Sequence, residues 1–566
     1  MLRRQSTSKS FVRAPDDIHA WLIGSGIASL TAAVRLIKDA QIPGSRVHIL
    51  ETRSVTGGGV ENTGDASNGY VVYAGRHPNL HDVCLEELLS LVPSAENPAK
   101  TILESIKEAN ANEALGEETG TRVLAEGKPG LEEMETKRIG VSLKDRIDLV
   151  MTMMEGEKVL DNKSIEDLFG HDFFKTKFWT VFSVTYVSVN MQGELQSVFN
   201  QSNAILGLSS NCRFGFQPWH SAIEFRRYLR KFIHDIPGLN DLGTAERMRY
   251  TQNELIIAPI TKFLEEQEVD FRFNTRVTDI LTYPDGDPTT VSEIKMTQGG
   301  SEKIVTVDAK DIVIITLGSI NSGSQLGTNN EPPTNLADTE NLLNDQWRLW
   351  SKLSNKSLKF GNPENFYSRV PESRLLTFTI TTQKAPELFN RLLPLTRDKR
   401  RRAQLLSLKD SNWLLNLSVP NQPVFQDQPK NVHVFWGYAM SPERDGNFLK
   451  KPMMACCGEE ILTELLQHLH FPIDLILKNA ITIPCLMPFV TAGLLTRGHS
   501  DRPEVIPHNM TNLALVGQFV EIPDDMTFTM DYSVRGAQMA VYRLMGLQRE
   551  PQKSRSYISE FLDLLI

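Results

Sequence analysis

The stretch from Ile18 to Glu51 constrains this chain most. An apolar run, HAWLIG, enters Gly24-Ser25-Gly26-Ile27-Ala28-Ser29. A helical pattern, TAAVRLIKDA, comes next, and a second apolar run, RVHIL, stops on Glu51. Each part stands where a βαβ unit that holds a dinucleotide requires it. Gly24 and Gly26 let the chain turn tightly and bring bare backbone against a pyrophosphate on the positive N-terminus of the helix. Ala28 and Ser29 open that helix, with Ser29 where the third glycine of G-x-G-x-x-G usually stands. Glu51, twenty-five residues beyond Gly26, is placed to accept hydrogen bonds from an adenosine ribose.

The residues after Glu51 narrow the cofactor to FAD. Gly57-Gly58-Gly59 comes directly after this unit, and glycine there lets backbone pass close to a ligand already anchored by the first turn. Large FAD proteins commonly carry such a second cluster, and NAD enzymes usually lack it. The flavin reading also expects the C-terminal part to return to the cofactor. TNLALVGQFVE is a strand ending at Gly517 and Gln518, and the helical pattern YSVRGAQMAVYRLMG comes after a loop. A glycine turn leading to a helix N-terminus suits the flavin or its phosphates.

At 566 residues the chain exceeds what one core usually holds. The expected fold class is α/β: a Rossmann-like FAD-binding domain, a mostly helical cap and a second, β-containing substrate domain. The corresponding spans are a flexible arm at 1–17, FAD-binding parts at 18–75, 245–330 and 501–548, and a helical cap or substrate region at 76–244. A substrate domain at 331–500 and a tail at 549–566 complete the division. SAIEFRRYLRKFIHDI and SLKDRIDLVMTMMEGEKVL show apolar recurrence at three and four, and LLTFTITT, WLLNLSV and VHVFWGYAM read as strands of a second sheet.

The net charge of −9 and the lack of a basic stripe argue against nucleic acid as a partner. Five cysteines with no C-x-x-C spacing argue against a disulfide scaffold or a metal site, so a reducing, cytoplasmic setting is expected. The N-terminal MLRRQSTSKSFVRAP reads as a disordered arm or as a weak mitochondrial presequence. SYISEFLDLLI, with Arg549, Lys553 and Arg555 upstream, reads as a docking or dimer element or as one lying on a membrane surface.

Nearly the whole chain resembles the oleate hydratases, also called the myosin-cross-reactive antigen family. The resemblance is carried, in order, by GSGIASLTAAVRLI, AGRHPNLHDVCLEELL, FGFQPWHSAIEFRRYLRKFIHDIP, NELIIAPITKFL, KPMMACCGEEI, IPCLMPFVTAGLLTR and VGQFVEIPDDMTFTMDYSVRGAQMAVYRL. It implies an FAD-containing hydro-lyase of the oleate-to-hydroxystearate type, which adds water across the cis double bond of an unsaturated fatty acid without net redox change. It also implies a homodimer that touches membranes to collect substrate.

An isolated alkene is a poor base, so hydration needs a proton donor at one carbon, a group that deprotonates water at the other, and a dry slot. In the family a glutamate after the Gly-Gly-Arg stretch activates water. Here that stretch is Tyr73-Ala74-Gly75-Arg76-His77, which puts Arg76 near the flavin and His77 at the glutamate position. Its imidazole, with an unperturbed pKa of about 6.5, takes a proton from water, or else His77 is a loop residue bonded to backbone before Pro78. The family's proton-donating tyrosine matches Tyr228, with Tyr250 as the alternative. Asp82, His81, His220 and Glu224 read as surface or capping groups.

Two further departures concern the substrate. The family's carboxylate-binding turn corresponds to Ser418-Val419-Pro420-Asn421-Gln422-Pro423-Val424, where Ser418 keeps a donor but Pro420 and Val424 offer none. A buried carboxylate without donors is costly, so the acid end is bound differently or the ligand is another apolar lipid. The polar stretch 187–212 is an insertion, either a loop over the cavity mouth or a gene-model error. A redox flavoenzyme on the same scaffold and a non-catalytic lipid-binding relative are the competing readings.

Overall fold

The computed structural model describes residues 13–60, 62–73, 82–112, 118–126, 131–133, 143–176, 179, 183, 186–187, 212–213, 215–232, 251–285, 287–334, 339–383, 387–396 and 401–552. Five parallel strands form the first sheet, in the order Leu513–Val516, Ile312–Thr316, Ala20–Ile23, Val47–Leu50 and Asp270–Arg272. The runs AWLI, VHIL and LALV are buried at every position, as parallel strands covered by other layers require. Helices Ile27–Lys38 and Met530–Met545 pack against each other and against this sheet. Strands Thr275–Tyr283, Thr290–Gln298 and Ser301–Thr306 form a small antiparallel sheet, and its Val277, Ile280, Ile294 and Met296 join the same core.

The second sheet has eight strands, in the order Gln325–Leu326, Ala480–Met487, Leu375–Thr382, His433–Ala439, Leu415–Ser418, Arg401–Leu408, Glu118–Glu126 and Leu131–Glu133. All its pairings are antiparallel except that of Arg401–Leu408 with Glu118–Glu126. The alternation in LLTFTITT serves two neighbours. Phe378 and Ile380 enter the core shared with helix Gly458–His468. On the opposite face, Thr379 and Thr381 Oγ1 accept from Val72 N at 3.0 Å and Tyr70 N at 2.9 Å. The hairpin Asn62–Asp65 with Gly69–Val72, just beyond the glycine cluster, is thereby fastened to the second sheet.

Three sequence expectations change. Residues 118–133, within the stretch expected to be mostly helical, supply two strands, because a polar segment such as ETGTRVLAE becomes a strand only through the partner it pairs with. Within the 331–500 span, Trp347, Trp350, Phe360 and Phe366 enter the core of the dinucleotide unit. Within the expected arm, Arg13 is buried and donates from Nε to Lys310 O at 2.9 Å and from Nη2 to Thr511 O at 2.8 Å. The cap places helices Leu143–Met154 and Ala222–Phe232 around an aromatic core that includes Phe169, Phe173, Phe216, Phe225 and Tyr228. Among the described residues, no helix is long and apolar enough to cross a membrane.

Candidate functional site

A cavity of about 320 Å³ opens at the C-terminal ends of the first strands, at the lower end of the range for small-molecule sites. Gly24, Glu51, Gly58, Tyr73, Asn321 and Gln346 are among the residues that line it. Gly24 turns the chain with φ of +96°, and a Cβ there would stand 2.8 Å from Gln346 Nε2. Gly26 then opens helix Ile27–Lys38 with no side-chain cap and no acidic residue in the first turn. The first-turn amides are thus left for an anion, which is the donor set a pyrophosphate needs. Glu51 is buried at the cavity wall, where Oε2 accepts from Ser25 N at 2.9 Å and Ser25 Oγ at 2.5 Å, and Oε1 from Arg53 N at 3.0 Å. This clamp holds the carboxylate still and leaves an acceptor direction on Oε1.

The remaining sequence candidates fall in different surroundings. Ala28 is buried in the core, and Ser29 Oγ bonds Thr316 Oγ1 at 2.8 Å, tying helix to strand. Gly58 has φ of +56°, and a Cβ there would stand 2.9 Å from Gly26 Cα, so the backbone it approaches most closely is the first glycine turn. Gly59 faces Ile320. Gly517 ends its strand beside Thr316, and the Gln518 carbonyl accepts from Thr527 Oγ1 at 2.8 Å. Tyr228 is 3% exposed, with its ring 5.6 Å from that of Phe216. Ser418 is buried in its strand, in register with Leu405 and Trp436. Beside it, Gln422 Nε2 donates to Val434 O and Gln428 Nε2 to Gln422 Oε1, at 2.8 and 2.7 Å, so these amides tie the loop to strand His433–Ala439 and to itself. Arg76, His77, His81, Tyr250 and the 188–211 stretch lie outside the described residues.

Sequence reasoning missed Asn321 and Gln346. The signal available was GSINSGS directly after an apolar strand, where open α/β sheets bind ligands. It also missed an ionic network behind Tyr228. Glu224 and His220, expected at the surface or in caps, are both fully buried. Glu224 Oε1 meets Arg497 Nη2 at 3.0 Å and Arg502 Nη1 at 3.1 Å. Arg227 forks onto Glu157 with two contacts of 2.8 Å and also pairs with Glu521, whose Oε2 lies 2.9 Å from Arg497 Nη2. Burial pushes the Glu521 carboxyl up, but Arg227, Arg497 and Arg502 outweigh it and hold the pKa at about 2. Glu157, His499 and Glu521 come close enough together to hold a cation. Arg227 already supplies that charge to both carboxylates.

The comparisons with known proteins agree with this architecture. A model described as the MCRA family matches residues 17–195 and 195–542. The chain belongs to the MCRA family. This MCRA chain is 32% identical to an oleate hydratase of Streptococcus pyogenes serotype M49, over 94% of its own length and 86% of that protein's. It is 30% identical to a linoleate hydratase of Lactiplantibacillus plantarum, covering 93% of this chain and 94% of that one. Among solved structures, cyclohexylamine oxidase of Brevibacterium oxydans has a similar fold. The TM-score is 0.50 at 11% identity, over 94% of this chain and all of that one.

Proposed function

We propose that this MCRA-family chain is a fatty acid hydratase, a hydro-lyase that adds water across a cis double bond of an unsaturated fatty acid such as oleate. The observation that carries the reading is 32% identity to an oleate hydratase across 94% of the chain. FAD is the cofactor proposed. The uncapped amides after Gly26 would hold its pyrophosphate, and Glu51 its ribose. Gly58, Gly59, Arg76, Gly517 and Gln518 would lie toward the isoalloxazine. Bound there, the flavin would contribute polar groups to the site without net redox change.

In the proposed reaction Tyr228 gives its phenolic proton to one alkene carbon. His77 takes a proton from the water that attacks the other. The aromatic surroundings of Tyr228, Phe216 and Phe225 among them, keep bulk water away from the carbocation-like centre. The Gln422 and Gln428 amides near Ser418 are engaged with the loop and the adjoining strand, which supports a different grip on the acid end.

The test is incubation of FAD-loaded protein with cis-unsaturated fatty acids, read by mass spectrometry with the flavin oxidised and then reduced. A gain of one water is expected, lost in His77→Ala and strongly reduced in Tyr228→Phe. Unchanged turnover in His77→Ala returns that residue to a loop role. No water gain, with substrate-dependent reduction of the flavin instead, replaces this reading with a redox enzyme.

A further inference from the structure

Five charged side chains form a buried chain between the start of helix Val83–Leu89, the cap helix Ala222–Phe232 and the C-terminal helix Met530–Met545 with the loop before it. Asp82 Oδ1 lies 3.6 Å from Lys231 Nζ, and Lys231 Nζ lies 3.6 Å from Asp525 Oδ1. Asp525 Oδ2 is 2.7 Å from Arg535 Nε, and Arg535 Nη2 is 3.0 Å from Asp531 Oδ2. The signs alternate, and among the described residues these five hold three carboxylates against two cations, none more than 11% exposed in its side chain. Burying the odd negative charge is costly, and the chain becomes neutral when one carboxylate keeps a proton.

The contacts decide which carboxylate that is. Asp531 accepts from Cys84 N and Leu85 N, both at 2.9 Å, and from Arg535 Nη2 at 3.0 Å. Asp525 sits between two cations and accepts from Met526 N at 2.8 Å. Asp82 occupies the N-cap of helix Val83–Leu89 yet makes no capping hydrogen bond, and Lys231 at 3.6 Å is its cation contact. The groups facing it are Lys231 from the cap helix, Asp525 from the loop before the C-terminal helix, and Asp531 and Arg535 from that helix. On its own helix, burial keeps the Cys84 thiol neutral. Burial first, and then Asp531 and Asp525, push Asp82 up to about 7, with Lys231 pulling the other way.

Lys231 lies one helical turn beyond Tyr228 on Ala222–Phe232, so whatever charge Lys231 faces acts on the helix that carries Tyr228. We propose that Asp82 is a positioning residue for hydration. It is protonated in the working enzyme, and losing that proton leaves an uncompensated buried charge that loosens the Tyr228 helix and lowers turnover. This rests on the hydratase reading, so its test carries a readout independent of activity.

The experiment compares holoenzyme, Asp82→Asn and Lys231→Gln from pH about 5.5 to about 8.5, by rate of water addition to oleate and by infrared difference spectroscopy of carboxylic-acid C=O stretches. Wild-type turnover is expected to fall toward about tenfold per pH unit above pH about 7, while Asp82→Asn stays level. The wild type loses one carboxylic-acid band over the same range, and that band is absent from Asp82→Asn. Lys231→Gln moves the band's midpoint to higher pH, which decides the matter if Asp82→Asn does not fold. A wild-type bend retained in Asp82→Asn, a spectrum identical in the two proteins, or a midpoint unmoved in Lys231→Gln overturns the proposal. A wild type that adds no water at any pH overturns the hydratase reading, and the infrared band still decides Asp82.

Discussion

Glu521 shows at the residue scale how much one side chain holds together. Its two oxygens serve Arg227 from the cap helix and Arg497 from the loop after the second sheet, and it lies four residues beyond Gly517. Glu521→Gln keeps the shape and removes the charge, leaving two arginines with less compensation in a buried place. A loss of about 3–5 kcal/mol is expected, read as a lower denaturant midpoint, since breaking a buried pair from one side is far worse than replacing both partners. Because Glu521 is held below its ordinary value of 4.5, at about 2, its contribution is present above pH 4.5 and disappears as pH falls toward 2. His220 has a different window. Burial lowers its imidazole from 6.5 to about 3, and Nδ1 accepts from Gln217 N at 3.0 Å. The native state thus refuses a proton that the unfolded chain takes, and stability drains as pH falls from 6.5 toward 3. His220→Gln is expected to flatten the stability curve between pH 6.5 and about 4.5, measured by chemical denaturation at stepped pH. Asp82 acts with the opposite sign, its stabilisation being lost as pH rises from 3.8 to about 7, so only the single variants separate the two.

At the scale of elements, the strand–turn–helix after Ala20 was legible because its period, glycines and terminal acid are all local. The partner of its second glycine was not. Gly58 comes from thirty-two residues downstream of Gly26, and the two backbones meet so closely that any Cβ at 58 lands on Gly26 Cα at 2.9 Å. Gly58→Ala therefore strains its own φ and pushes the first glycine turn at once. The expected result is about 1–3 kcal/mol of lost stability together with loss of bound flavin, followed by the 450-nm-type visible absorbance of the purified protein relative to its ultraviolet band. Full flavin content in this variant separates Gly58 from cofactor binding. Helix Ala222–Phe232 was equally legible by its apolar recurrence. The burial of Glu224, Arg226 and Arg227 on the same helix was not, because a charge run reads as a solvated face until its partners are known.

At the scale of the whole molecule, the candidate chemistry depends on segments far apart in sequence. The cap and the C-terminal return are joined by the buried pairs Arg227–Glu521 and Lys231–Asp525, and the hairpin after the glycine cluster is fastened to threonines of the second sheet. The resemblance to the hydratases also implies a homodimer, and light scattering on the purified protein is expected to return twice the chain mass of 63.7 kDa. A monomer at micromolar concentration removes that expectation. The segment SYISEFLDLLI lies outside the described residues, apart from its upstream Arg549, which pairs with Asp39 at 3.0 Å. Flotation with anionic liposomes, full length against a chain ending at Gln552, decides whether the tail adds membrane contact. Equal flotation leaves it a docking or dimer element.

The sequence by itself determined the strand–turn–helix unit after Ala20 and the family, because glycine spacing, strand and helix periods and long ordered matches are properties of neighbouring residues. Only the tertiary structure decided that Ser29 bonds a strand residue, that Glu118–Glu126 is a strand, and that Glu224, Arg227, Glu521 and Asp82 are buried in company. A charge or a polar strand is stable in the interior only through a partner, and those partners come from distant parts of the chain.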